Sequence, residues 1–166
     1  HTPTYLTKYD ILKDLKPNGK FLLNCNWNQE ELENKLPNKI KRTLAEKNVE
    51  FYILDANDIS RKLGLGGRIN TALQAAFFKI TKIFDCDKAL SLIKEYISKA
   101  YHKKGQEIVN INHRCAEEGM KNLVKINIPE NWKNISDVNQ CNEPDIKNES
   151  LNRFVKNIAS PVNSMN

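Results

Sequence analysis

Two short apolar runs bound what this chain can become: "KFLLNC" (Lys20–Cys25) and "VEFYILDA" (Val49–Ala56). Each has the length of a buried strand, and the second is β-branched and aromatic. Helix signals fill the gap between them. "NQEELENKL" opens with Asn28 as a cap and acids in the first turn, where the helix dipole favours them. Pro37 interrupts, either between two helices or within the first turn of a second that runs to about Lys47. Strand, helix, strand is the order that a parallel pair with a crossover requires. The expected fold class is therefore α/β, a partial Rossmann-like three-layer domain with few, mostly parallel strands. Two or three strands make a small sheet for such a fold, whose central strands need neighbours on both sides. With no initiator Met and an opening, "HTPTYL", that reads like the middle of a domain, the chain is expected to be a fragment with strands missing upstream.

After the second run, helices take over. "NDISRKLG" reads as a short helix closed by Gly64. "INTALQAAFFKITKIF" is a long helix with Ile69, Leu73, Ala76, Phe77 and Ile80 on one stripe. "CDKALSLIKEYISKAYHKKG" follows, with Asp85 as its cap and Gly105 as its stop, and "QEIVNINHRCAEEGMKNLVKI" forms a third. Phe77, Phe78 and Tyr96 read most simply as core. Near the start, "YDILKDLK" (Tyr9–Lys16) has helical spacing and stops at Lys16-Pro17-Asn18-Gly19. From Pro129 to Asn166 apolar residues are sparse except in "RFVKNIASPV" (Arg153–Val162), so an extended arm or linker is expected there. The division is residues 1–128 as a domain and 129–166 as the arm.

Composition narrows the function classes. Hydrophobic residues at 40% and charged residues at 28% are ordinary for a soluble domain, and no apolar run approaches the ~20 residues of a membrane span. The N-terminus lacks the regions of a signal peptide. The net charge of +6 comes from dispersed lysine, with His102-Lys103-Lys104 the one basic block. That pattern argues against a nucleic-acid partner and suits an anionic small ligand, and with no spanning run no membrane partner is expected. Cys25, Cys86, Cys115 and Cys141 have neither zinc-like nor iron–sulfur-like spacing, which fits reduced thiols in a cytoplasm.

The candidate site is "LGLGGRIN". Its glycines are not G-x-G-x-x-G, because Ile69 stands at the third position, and the G-K-[ST] of a P-loop is absent. The residue types still suit a phosphate. Gly66 and Gly67 let backbone amides approach a ligand, the next helix points free N–H groups at the same space, and Arg68 adds a fork of donors. Asn70 would cap the helix or bond a ligand. The bland alternative is a helix–turn–helix corner with Arg68 in solvent. Asp55 lies where open sheets bind ligands, but the polar turn after it reads first as a helix cap. Glu30, Glu31 and Glu33 read as a solvated face. His102 and His113 have no evident acid partner, and no nucleophilic triad is visible.

The stretches "HTPTYLTKYDILKDLKPNGKFLLN", "LPNKIKRTLAEKNVEFYILDA", "GLGGRINTALQAAFFKI", "KALSLIKEYISKAYHKKGQEIVNIN" and "FVKNIASPVNSMN" resemble pyruvate:ferredoxin (flavodoxin) oxidoreductases, in their 2-oxoacid:acceptor oxidoreductase gamma-type domain. That resemblance implies a parent enzyme that decarboxylates pyruvate on thiamine diphosphate with Mg, passes electrons through [4Fe–4S] clusters to ferredoxin or flavodoxin, and forms acetyl-coenzyme A. It implies a cytoplasmic dimer of multidomain chains. The cluster motifs and the thiamine signature are absent here, so the fragment itself is expected to hold no cofactor, to be inactive alone, and to pack on other domains of the same polypeptide. Residues 129–166 would then lead towards the iron–sulfur domain. Carried over residue by residue, the family's coenzyme A contacts fall on Arg68 and Asn70, beside Gly66 and Gly67. A purely structural interdomain module is the alternative.

Overall fold

A computed structural model describes residues 3–135 of the chain. The first strand, β1 (Lys20–Asn24), lies parallel to β2 (Glu50–Leu54), with Phe21 opposite Phe51 and Leu23 opposite Ile53. A third strand, β3 (Val124–Ile126), pairs antiparallel on the far edge of β2, so the order is β1-β2-β3. Between β1 and β2 run helices α2 (Gln29–Lys35) and α3 (Asn38–Glu46). The Asn28 side chain accepts from the Glu31 N–H while the Glu31 carboxylate accepts from the Asn28 N–H, a reciprocal cap that starts α2 as its sequence predicts. Pro37 stands just before α3, where its missing N–H costs nothing.

Strand periodicity places the layers. Leu23, Phe51 and Ile53 face α2 and α3, in a core with Leu32, Leu36, Ile40 and Leu44. Leu22 and Leu54 belong to the opposite face, under α4 (Ala56–Lys62), α5 (Asn70–Thr81) and α7 (Gln106–Lys121). Helix α6 (Cys86–Tyr101) packs outside these through Ala89, Ile93 and Ile97 against Ala75, Val109 and Ala116. The three-layer α/β arrangement expected from the sequence is present. Gly105, with φ 96°, ends the α6 region as its sequence predicts.

Several expectations are corrected. The helix expected over Tyr9–Lys16 is absent; α1 (Tyr5–Lys8) ends at Tyr9, whose backbone is extended (φ −133°, ψ 148°). Carbonyls beyond it find their partner in α3's end instead, since Lys47 Nζ donates to Leu15 O at 2.6 Å and Leu12 O at 3.2 Å. The last helix does not run through to Ile126. It stops at Lys121, and Val124 and Ile126 pair with β2, so strand pairing overrides the helical pattern. Phe77 and Tyr96 are not core; they are 49% and 66% exposed. The buried stripe of α5 is Ala72, Ala75, Ala76 and Ile80, which leaves Phe77 outside it. Asp85 stands before α6 without a side-chain cap bond. The arm expected from Pro129 begins as a 3-10 turn (Glu130–Asn134) on the α2–α3 side, with Trp132 fully buried and Arg42 donating to Ile135 O at 2.7 Å. The apolar patch Arg153–Val162 lies outside the described residues.

Candidate functional site

Both parallel strands end on the same side of the sheet, and side chains tie the two ends together. Asn24, 3% exposed, accepts from the Ala56 N–H through Oδ1 at 2.9 Å. The Cys25 N–H donates to Leu54 O at 3.1 Å. Asp55 accepts from the Asp58 N–H at 2.9 Å, which is the cap reading of that residue. Because α4 starts at Ala56, no loop separates it from β2, and it rises directly beside these ends.

A cavity of about 580 Å³ opens there, at the carboxyl ends of the strands, where open α/β sheets offer room for ligands. Asn24, Asn26, Asp55, Asn57, Arg61 and Gly66 are in its wall. Asp58 pairs with Arg61 and Lys62, each at 2.6 Å, and their hydrogen bonds, that of Lys62 foremost, hold its carboxyl below the usual range. Burial pushes the Cys25 thiol in the same wall up, away from a reactive thiolate.

The glycine corner joins α4 to α5. Gly64 (φ 72°) and Gly66 (φ 61°) hold left-handed backbone that glycine adopts without strain. A Cβ on Gly66 or Gly67 would meet nothing within 4 Å, so the corner faces open space. The fully buried Ser60 of α4 lies beneath it; its Oγ donates to Gly66 O at 2.7 Å and lies 3.2 Å from Arg68 O. Leu65 is buried and its N–H donates to Ser60 O at 2.8 Å. Ile69 occupies the cap position of α5 with helical backbone and no side-chain cap. Asn70 is the first helical residue and does not cap, which corrects that half of its expected role.

The four residues singled out in the sequence are thus neighbours on one exposed surface. Gly66 also lines the cavity; Gly67, Arg68 and Asn70 stand outside its wall. Among the described residues Arg68 has no carboxylate partner. The uncapped first turn of α5, the exposed glycine amides and this guanidinium together suit an anionic ligand such as a phosphate. His102 and His113 are elsewhere: His113 Nε2 donates to Lys94 O at 3.0 Å between α7 and α6, and His102 Nδ1 donates to Lys99 O at 2.8 Å. Ser60, Asn24 and Arg61 are the site residues that sequence reasoning missed. Asn24 left a trace, a polar residue closing an apolar strand; Ser60 left none. Among the described residues no three His, Cys, Asp or Glu converge.

Comparisons with known proteins agree with this architecture. The family model described as pyruvate ferredoxin/flavodoxin oxidoreductase matches residues 1–122. The chain is 42% identical over 161 residues to the pyruvate-flavodoxin oxidoreductase of Klebsiella pneumoniae, which covers 96% of this chain and 13% of that protein. It is 37% identical over 168 residues to the pyruvate:ferredoxin oxidoreductase of Moorella thermoacetica, with 99% of this chain and 14% of that protein covered. The chain therefore spans about one-seventh or less of the length of these relatives. Among solved structures, pyruvate oxidoreductase subunit PORC of Thermotoga maritima matches with a TM-score of 0.55 at 22% identity, over 76% of this chain and 59% of that one. That likeness supports the fold.

Proposed function

We propose that this chain, which belongs to the pyruvate ferredoxin/flavodoxin oxidoreductase family, is a domain of a multidomain enzyme that oxidatively decarboxylates pyruvate to acetyl-coenzyme A and passes the electrons to ferredoxin or flavodoxin. Within that enzyme it contributes coenzyme A contacts and interdomain packing, and has no catalysis of its own. Thiamine diphosphate, Mg and the [4Fe–4S] clusters belong to other domains in this reading, since the cluster and thiamine motifs are absent from the sequence. The parent enzyme works as a dimer in the cytoplasm; free rather than bridged Cys25, Cys86 and Cys115 support that compartment. No described helix is long and apolar enough to cross a membrane.

One observation carries the ligand role: the exposed corner that gathers Gly66, Gly67, Arg68 and Asn70 at the uncapped start of α5, beside the strand-end cavity. Coenzyme A brings phosphates, which suit such backbone amides and a guanidinium. Arg68→Ala in the whole enzyme should raise KM for coenzyme A about tenfold to a hundredfold, the loss of one charge-assisted contact. Pyruvate decarboxylation without coenzyme A should stay near normal. Equal loss of both, or neither, would refute the ligand role.

The packing role has its own observation. Phe84, Leu92 and Tyr96 are exposed around one apolar groove at the α5–α6 junction, with Phe77 and Ile83 also exposed near it. If packing were the whole role, Arg68→Ala would weaken assembly with no selective effect on coenzyme A.

A further inference from the structure

We infer that Ser60 is the positioning residue of the glycine corner: it draws the Gly66 carbonyl inward and so turns the Gly67 N–H outward as a fixed donor to a ligand phosphate. The inference rests on the coenzyme A reading above. A glycine pair has no strong conformational preference, so something outside it must choose one orientation of the 66–67 peptide. The Gly66 carbonyl sits on an exposed residue and could equally be hydrated. The Arg68 N–H donates to Leu65 O at 3.3 Å and closes a turn over the pair, and the fully buried Ser60 hydroxyl, which needs an acceptor, fixes the Gly66 carbonyl from beneath. Its one proton goes chiefly to Gly66 O at 2.7 Å, with Arg68 O the longer acceptor at 3.2 Å.

Peptide planarity does the rest. In a trans peptide the C=O and the following N–H point in opposite directions. Holding Gly66 O against α4 therefore aims the Gly67 N–H at open space, and that N–H has no backbone acceptor among the described residues. The Arg68 contact restrains the backbone from which the guanidinium extends. Serine inside a short helix is a poorer helix former than alanine, so its place in α4 is not explained by the helix. The corner explains it. Ser60 touches no ligand in this account; it acts through Gly66 and Arg68.

The test is steady-state kinetics of the whole enzyme carrying Ser60→Ala, Ser60→Thr or Arg68→Ala, with Val49→Ala as a destabilised control in the opposite core. Ser60→Ala should raise KM for coenzyme A about tenfold while kcat and coenzyme A-independent decarboxylation stay within about twofold. Ser60→Thr keeps the hydroxyl and should recover most of that loss. An unchanged KM, or a joint fall of every step matched by Val49→Ala, overturns the inference. Should Ser60→Ala fail to fold, Ser60→Cys carries the same two outcomes with a weaker donor. If Arg68→Ala raises KM and the Ser60 variants do not, positioning is wrong and the binding reading stands. If neither moves KM, the binding reading fails and takes this inference with it.

Discussion

Replacing Gly119 by alanine should destabilise the fold at the contact that holds α5. A Cβ built on Gly119 of α7 would lie 2.5 Å from Ala72 O, 2.7 Å from Ala72 Cα and 2.9 Å from Ala72 C. All three atoms are backbone, so no flexible side chain can swing away. The helices would have to part by about 1 Å, which costs about 3 kcal/mol as overpacking. Alanine recovers about 1 kcal/mol because it is the better helix former. The net loss is about 2 kcal/mol, and for a unit of this size, His1–Ser136, the melting temperature should fall by about 6–8 °C. Thermal unfolding followed by circular dichroism measures this directly. An unchanged or raised melting temperature would refute the reasoning, because the helix-propensity gain would then have won. Ala72 lies two residues beyond Asn70, so the same displacement reaches the glycine corner.

The carboxylate of Glu50 should make stability depend on acid. Hydrogen bonds from Lys20 and Tyr52, with Lys125 nearby, lower its pKa to about 2 from an ordinary 4.5. A depressed folded-state pKa contributes stability above the ordinary value and loses it as pH falls towards the folded one. The melting-temperature gap between wild type and Glu50→Gln should hold above about pH 5 and close by about pH 2; a gap that persists at the acid end would contradict it. Alkylation mapped by mass spectrometry should label exposed Cys86 first and spare Cys25 and Cys115, whose thiols burial pushes up. Equal labelling of all three in the folded chain would mean that those two sites open readily.

What the sequence revealed was mostly local. The apolar runs of β1 and β2, the Asn28 cap, the Asp55 cap and the Gly105 stop all depend on residues within a turn of one another. β3 depends on Val124 meeting Ile53 and Ile126 meeting Phe51, partners far apart in sequence, and three residues carry little pattern of their own. The segment after α1 is settled by Lys47, again distant in sequence. Phe77 and Tyr96 failed as core residues for another reason. Hydrophobicity states that a side chain prefers cover, and does not state whether that cover comes from the same domain. The glycine corner was legible because its left-handed backbone at Gly64 and Gly66 selects glycine. Ser60 was not, because a serine in a helix reads the same whether it faces solvent or the inside of a turn.

The corner's two ends rest on unlike supports, and this bears on how it would recognise a ligand. On one side α4 follows β2 without a loop, its start pinned by Asn24 to the end of β1. On the other, α5 is held against α7 by the Gly119–Ala72 approach, with Lys79 Nζ donating to Met120 O at 2.6 Å further along. Both helices are thus placed by the core, and only residues 63–69 between them retain glycine freedom. A ligand that had to order all of those residues would lose affinity to their entropy. The buried Leu65 and the Ser60 hydroxyl divide that stretch, and each removes freedom before any ligand arrives. What remains free is the Arg68 side chain, exposed and without a carboxylate partner among the described residues. The backbone part of the corner is therefore preorganised while its charged part is not; under the coenzyme A reading proposed above, the amides would set where a phosphate sits and the guanidinium would close on it afterwards.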